Sequence, residues 1–238
     1  MQRIPLHLAI LLAMLCLVAP VSASNIVYVD GSSNIYGAGH AIPPAPGGGG
    51  GGILPTLASF VAGAGQVLTF SSITGGVRCC GPASAINPPD GGTNASGTTD
   101  ILPYGGISGV KDDAHTMFLV GVFLDDSEPS GTPPPALDFS PAAIGEHFGS
   151  LSPAIGQVFY VGDGLTGTFA GATQQFVVPA TATRLYLGFA DAFEFGSPTG
   201  EPGYYGDNSG TIQAILDVRP LATPARTGSW GKLKLIYR

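Results

Sequence analysis

The chain has 238 residues, including 37 Gly and 21 Pro; only 11% are charged, and the formal net charge is −7. That negative charge disfavours nucleic-acid binding, because phosphates require a basic face. The length suits one domain with a full core, and the scarcity of helix-favouring residues beside abundant Gly, Thr, Val and Phe predicts an all-β fold with long loops.

The N-terminal residues 1–23 have the pattern of a secretory signal peptide. Arg3 supplies a positive start, residues 6–18 an apolar core, and Val21-Ser22-Ala23 a small-residue cleavage site. The mature chain is therefore expected to begin near Ser24 and to be exported, as a secreted or cell-surface protein. We expect one domain over residues 24–219 and a basic tail over 220–238, with membrane contact only through the signal peptide or an attachment signal in the tail.

The strands expected after the signal peptide follow from short apolar or alternating runs. In chain order they cover residues 25–30, 66–72, 117–124, 157–162, 174–178, 184–191 and 211–218. The run 117–124 is apolar throughout, which is typical of a strand buried on both faces. We expect a β-sandwich of about eight strands.

Two glycine-rich segments invite specific interpretations. Six consecutive glycines, residues 47–52 (the glycine run), are predicted to form a mobile surface loop. Residues 162–167 fit G-x-G-x-x-G, but no helical periodicity follows, so a phosphate-binding helix N-terminus is missing. We predict a hairpin there and no dinucleotide cofactor.

Residues capable of catalysis do not form a known enzyme pattern. The sequence has no G-x-S-x-G and no H-E-x-x-H, and the histidines of the mature chain, His40, His115 and His147, are widely separated. We interpret His40 as solvated and His115 as structural. Cys79 and Cys80 form either a pair of thiols or a strained vicinal bridge. The protein is predicted not to be an enzyme, although a hydrolase with paired carboxylates stays an alternative.

Oxygen-bearing side chains flank the last two predicted strands. Asp191 ends the strand 184–191, and Asp207-Asn208 precede the strand 211–218. Antiparallel pairing of these strands would bring the three side chains together, and carboxylate and amide oxygens are ligands that Ca²⁺ takes. The alternative is that Asp207-Asn208-Ser209-Gly210 is only a turn, since all four are turn-forming residues.

The same stretch, Leu-x-Leu-x-Phe-x-Asp followed by Gly-x-Tyr-Gly-Asp-Asn-Ser-Gly, resembles the C-terminal half of the calcium-dependent galactose-binding bacterial lectins of the PA-IL type. It is also similar to a stretch in secreted bacterial proteins of unassigned function. The resemblance implies a jelly-roll-like sandwich in which Asp191, Asp207 and Asn208 bind Ca²⁺ through side chains. It further implies that Tyr204 and the region of Arg78 contribute backbone carbonyls, and that the ion accepts sugar hydroxyls.

One segment departs from that family. Residues 87–92 lie where the lectins carry a sugar-contacting His-Pro-x-Gln segment, but Pro88 replaces the His and Gly91 the Gln. Asp90 is the acidic residue of this segment, and we take it as a ligand-binding candidate together with Asp191, Tyr204, Asp207 and Asn208. The sugar preference is therefore expected to differ from that of the lectins.

These expectations give one leading function and one alternative. The leading function is a secreted, calcium-dependent carbohydrate-binding protein whose partner is a glycan or polysaccharide. The alternative is an extracellular structural or matrix protein in which Ca²⁺ only stabilises loops. The tail, with four of the nine basic residues, is either a sorting or attachment signal or a frayed terminus.

Overall fold

The computed structural model describes residues 25–59, 65–93, 97–196 and 199–221. The predicted signal peptide and all but the first two residues of the predicted tail lie outside this part of the chain. Within it, the fold is nearly all β, with only short 3₁₀ turns beside the strands. No helix in the described ranges is both long enough and apolar enough to span a membrane.

The described residues form fourteen strands, most of them short. In chain order they are β1 (Asn25–Asp30), β2 (Thr56–Ala58), β3 (Gln66–Arg78), β4 (Thr99–Ile101), β5 (Val110–Asp112), β6 (Val120–Leu124), β7 (Leu137–Asp138), β8 (Ser150–Leu151), β9 (Val158–Tyr160), β10 (Leu165–Gly167), β11 (Ala170–Thr173), β12 (Gln175–Val177), β13 (Arg184–Gly188) and β14 (Ser209–Pro220). The larger number than the expected eight arises because loop segments also pair over two to four residues.

Two larger sheets form the sandwich. A five-stranded sheet has the order β1-β14-β3-β12-β8, and a four-stranded sheet has the order β2-β13-β6-β9. The two sheets share one apolar core, in which the rings of Phe159 on β9 and Phe176 on β12 lie 5.1 Å apart. Two small sheets, β4-β5-β7 and β10-β11, add to this sandwich. The predicted all-β sandwich is confirmed.

Period-two alternation places side chains as the sequence predicts. Leu185 and Leu187 of β13 are fully buried, as are Ile212, Ala214 and Leu216 of β14. A register shift between Ile215 and Leu216 interrupts the β14 pairing with β3. After this bulge the alternation weakens.

The individual strand predictions agree in place and differ in extent. β3 continues six residues beyond the predicted end, to Arg78. β6 is buried at all five positions, as expected for the apolar run, but begins only at Val120 because Met117 has a φ of 56°. The hairpin predicted around residues 162–167 is present as β10 and β11.

The predicted pairing of the two C-terminal strands is wrong. β13 pairs with β2 and β6, and β14 pairs with β1 and β3, so the two strands lie in different sheets. The 12 residues of β14 pair with β3 from Arg78 to Gln66, which satisfies more backbone groups than the five residues of β13 can. The loop 189–208 therefore crosses between the sheets.

Candidate functional site

The loop between β13 and β14 returns on itself and brings Asp191 and Asn208 together. Gly203 N donates to the Asp191 carbonyl over 3.0 Å, and Ala192 forms a bridge with Pro202. Asn208 Nδ2 then donates to Asp191 Oδ2 over 2.7 Å. The predicted proximity of the two side chains is present, although it arises from this crossing loop and not from strand pairing.

Asp191 is a buried carboxyl group held by neutral donors. Its side chain is 1% exposed, and its Oδ1 accepts from the Ala192 amide over 2.8 Å. Burial raises the pKa of Asp191 well above its usual range; the bonds from Asn208 and Ala192 partly oppose this, and the charge of Asp207 adds to it. A nearby cation would reverse that shift, since an opposite charge favours the ionised form.

Asn208 leaves one polar atom without a partner. Its Oδ1 is buried and accepts no hydrogen bond from the described residues, while its Nδ2 is engaged with Asp191. The ion pairs of the described ranges involve neither Asp191 nor Asp207. Buried polar groups normally have partners, so an orphaned acceptor beside an unpaired buried carboxyl group favours a bound cation.

A cavity of about 250 Å³ lies against these residues (the site cavity). It is lined by Asp191, Tyr204, exposed Asp207, the two cysteines and residues 192–195. The structure thus brings Asp191, Tyr204, Asp207 and Asn208 to one place. Cys79 and Cys80 are free thiols, one buried and one exposed, which resolves the two alternatives for this pair.

Strained backbone is concentrated around the site cavity. Six described residues other than glycine have positive φ, and four of them line the cavity: Cys80, Glu194, Phe195 and Tyr204, with φ between 52° and 65°. Such conformations each cost about 1–3 kcal/mol and persist where surrounding structure enforces them, which occurs preferentially at functional sites.

The glycine run helps to hold the backbone of Tyr204 at its positive φ. The Gly48 carbonyl accepts from Tyr204 N over 2.9 Å, and the Gly50 carbonyl accepts from Tyr205 N over 3.1 Å. A Cβ on Gly49 would lie 2.7 Å from the Tyr204 Cα. The glycine run lies largely at the surface, as predicted, and it is joined to residues 204–205 by these backbone bonds and by the close approach of Gly49 to Tyr204.

Tyr205 holds the start of the loop from the interior. Its fully buried hydroxyl donates to the Phe189 carbonyl over 3.1 Å and accepts from Asp191 N over 3.0 Å. Burial raises the pKa of this hydroxyl well above its usual range, so it stays a neutral donor. The backbone of Asp191 is thereby fixed relative to β13.

Arg78 and Asp90 differ in their relation to the cavity. Arg78 ends β3 opposite Ser209, and the next two residues, Cys79 and Cys80, line the cavity. The Arg78 guanidinium donates to the Pro82 carbonyl over 2.5 Å. The region chosen for a carbonyl ligand therefore adjoins the site.

Asp90 does not line the site cavity. It is 6% exposed, and its Oδ1 accepts from Asp163 N over 2.6 Å and lies 3.3 Å from the Tyr160 hydroxyl. The pKa of Asp90 is raised, mainly because the carboxyl group is buried. The backbone turns at Gly91, with a φ of 87°, and Gly92 then pairs with Thr116, ahead of β6. The bond from Asp163 N places the Asp90 carboxylate at the β9–β10 turn instead.

Sequence reasoning missed two groups. The first is an aromatic pair at the site cavity: the Phe193 ring, 63% exposed, lies 5.2 Å from the Tyr204 ring. The second is a cluster of Asp112, His115 and Glu146, far from the site in sequence. The Asp-x-x-His spacing of residues 112–115 was a signal for the second, but nothing local connects it to Glu146.

No protein-family model matches the chain, and no curated protein matches it significantly. No family membership follows from these comparisons.

Proposed function

We propose that the protein is a secreted, calcium-dependent carbohydrate-binding protein whose site is formed by Asp191, Tyr204, Asp207, Asn208 and the backbone next to Arg78. The observation that carries the proposal is the buried Asp191 carboxyl group without a cationic partner, beside the orphaned Asn208 Oδ1. The signal-peptide pattern of residues 1–23 supports export.

The donor set favours calcium over softer metal ions. Two carboxylates, an amide oxygen and backbone carbonyls are hard ligands, which Ca²⁺ takes in shells of 6–8 oxygens. The neighbouring Cys79 thiol is a poor competitor, because burial, the hydrogen bond with Cys80 and the charges of Asp191 and Asp207 all raise its pKa. A protonated thiol is not a metal ligand. Calcium would supply positive charge to Asp191 and open positions for ligand hydroxyls.

The shape and lining of the site cavity suit a sugar ring. Its volume of about 250 Å³ is below the ~300–1,000 Å³ typical of drug-sized ligands. Phe193 and Tyr204 provide aromatic surface at the cavity, where the C–H face of a pyranose can pack. Asp207 offers an exposed carboxylate that can accept from sugar hydroxyls.

One observation favours the alternative structural function. Pro88 and Gly91 lack the side-chain donors of the lectin segment, and Asp90 is engaged with Asp163 and the β9–β10 turn. The polar contacts that select galactose in those lectins therefore have no counterpart in this segment. In the alternative, Ca²⁺ only ties the 189–208 loop to the end of β3.

A glycan array read with calcium and with chelator tests the proposal. Wild type should bind at least one glycan class in calcium only. Asp191→Asn should lose that binding, whereas Asp126→Asn, an exposed carboxylate bonded to Thr183 Oγ1, should keep it. Calcium-dependent melting with no bound glycan would favour the structural function. Glycan binding that is unchanged by chelator and by Asp191→Asn would exclude the proposed site.

A further inference from the structure

A second cluster of titratable side chains lies between the small β4-β5-β7 sheet and the loop that leads to β8. One ligand atom each from Asp112, His115 and Glu146 lies within 4.8 Å of the other two. We propose that this cluster is a binding site for a divalent transition-metal ion of the zinc type. The inference is independent of the calcium and carbohydrate proposal.

Local backbone contacts place the first two ligands. Asp112 ends β5, and its Oδ1 accepts from Ala114 N over 2.7 Å and from His115 N over 3.3 Å. This turn brings the imidazole of His115 back beside the carboxylate. The Thr99 hydroxyl donates to the His115 carbonyl over 2.8 Å, which fixes the same turn from β4.

The third ligand comes from a distant segment. His115 Nδ1 and Glu146 Oε1 lie 2.5 Å apart, across 31 residues of sequence. The buried Gln174 supports Glu146 from behind, since its Nε2 donates to the Glu146 carbonyl over 2.7 Å and to the Phe148 carbonyl over 3.1 Å. The three ligands thus come from two segments, the turn after β5 and the loop before β8.

Asp112 itself provides the independent sign of a missing partner. Its side chain is fully buried, and its Oδ2 has no hydrogen-bond partner among the described residues. Lys111, its neighbour in sequence, lies instead near Asp113 and Asp138, with ion-pair distances of 3.6 and 3.7 Å. A buried carboxylate oxygen left unpaired beside a second carboxylate is unfavourable unless a proton or a metal ion lies between them.

The charges around Asp112 and His115 are consistent with this geometry. Burial first, and then the neighbouring Glu146 carboxyl group, raise the pKa of Asp112 to about 8. The hydrogen bond with Glu146 likewise raises the pKa of His115. Asp90 adds further negative charge near both His115 and Glu146. A divalent ion at the cluster would balance this negative charge.

The ligand set favours a zinc-type ion over calcium or magnesium. Imidazole is a ligand for Zn²⁺ and its transition-metal neighbours, whereas Ca²⁺ and Mg²⁺ take oxygens. Tetrahedral ligands about 2.0–2.1 Å from Zn²⁺ lie roughly 3.3 Å from each other, so the His115–Glu146 pair must widen by roughly 1 Å. His115 is 32% and Glu146 12% exposed at the side chain, which leaves a route for the ion and a fourth position for water.

Calorimetric titration of the purified protein with ZnCl₂ tests the site. Wild type should bind one Zn²⁺ at this cluster. His115→Gln and Asp112→Asn should each weaken that binding at least tenfold, and Ca²⁺ should not compete. The matched control is His40→Gln, which breaks a similar pair, His40 Nδ1 with Glu128 Oε1 at 3.1 Å, that has no third carboxylate. It should leave zinc binding unchanged, as should Cys80→Ser and Asp191→Asn.

A measurement on the unmodified protein guards against variants that fail to fold. On addition of Zn²⁺, the ring resonances of His115 should shift in the NMR spectrum, and those of His40 should not. Zinc affinity that survives both ligand substitutions, or His115 ring resonances that stay in place at saturating Zn²⁺, would overturn the inference. Equal binding of Ca²⁺ at these residues would overturn the assignment to a zinc-type ion.

Discussion

Asp191→Asn separates the cost in stability of burying a carboxyl group from the role of that group as a ligand at the candidate calcium site. The amide keeps the shape of the side chain but loses its charge. Its Nδ2 would meet the Nδ2 of Asn208, and rotation of the Asn208 amide resolves that conflict, because its buried Oδ1 has no partner. We therefore expect Asp191→Asn to be at least as stable as wild type in chelator near neutral pH, and less stable than wild type in calcium.

The size of the calcium effect follows from mass action. Extracellular calcium modules bind with dissociation constants of about 10⁻⁴–10⁻³ M, so about 10 mM Ca²⁺ stabilises wild type by about 1.4–2.7 kcal/mol. For a domain of this size the melting temperature should rise by roughly 3–11 °C. Asp191→Asn should show almost no rise.

The same experiment has a pH dependence with a defined sign. Burial raises the pKa of Asp191 in the ion-free protein, whereas the unfolded chain has a value of about 3.9. The neutral carboxyl group therefore contributes stability that is fully present below about pH 3.9 and is lost as pH rises through the folded pKa. In calcium the carboxylate is the favoured form, so the difference between calcium and chelator should grow with pH.

Scanning calorimetry at several pH values, with and without calcium, measures these effects. The calcium site at Asp191 is refuted if wild type and Asp191→Asn show the same calcium-dependent change in melting temperature. The predicted pH dependence is refuted if only wild type responds to calcium and the calcium-dependent rise in its melting temperature becomes smaller as pH increases from about 5 to 8.

Three further substitutions test separate parts of the site. Asp207→Asn should reduce the calcium-dependent rise in melting temperature without abolishing it, because it removes charge but keeps an oxygen ligand. Phe193→Ala should weaken glycan binding while leaving that rise unchanged, since its ring lies at the cavity but offers no metal ligand; calorimetric titrations with glycan and with calcium distinguish the two. Gly49→Ala should destabilise the protein by about 1–3 kcal/mol more than Gly48→Ala in urea unfolding, because only the former meets Tyr204 closely. Equal losses would mean that positive φ alone matters.

The strands were predictable where burial and alternation coincide. Leu185 and Leu187, like Ile212 and Ala214, recur at period two, and each buried set faces the core. Pairing was not predictable by the same reasoning, because alternation gives the buried face of a strand but not its neighbour. The partners of β14 are β1 and β3, both more than one hundred residues earlier in the chain.

The site was predictable in part, for a reason different from the one first given. The prediction placed Asp191 beside Asn208 through a hairpin that does not form. The residues still meet because the crossing loop is closed by the bond from Gly203 N to the Asp191 carbonyl. Asp90 shows the limit of alignment: its position in the chain matches the lectin segment, but its carboxylate bonds to Asp163. The partner of His115 was invisible because Glu146 reaches it only through the tertiary fold.

The glycine run explains how the candidate site can exist before any ion binds. Positive φ at Tyr204 and burial of Asp191 are both unfavourable. A loop that was free to relax would therefore adopt another conformation without these two features. The backbone bonds from Tyr204 and Tyr205 to Gly48 and Gly50 remove that freedom, and the Tyr204 side chain packs against Gly49, where a Cβ would lie 2.4 Å from its ring. A site held in this way loses little conformational entropy on binding, which is the physical advantage of preorganisation. Calcium should therefore raise the melting temperature with little change in the backbone, and a large change in amide chemical shifts far from the site would contradict that view.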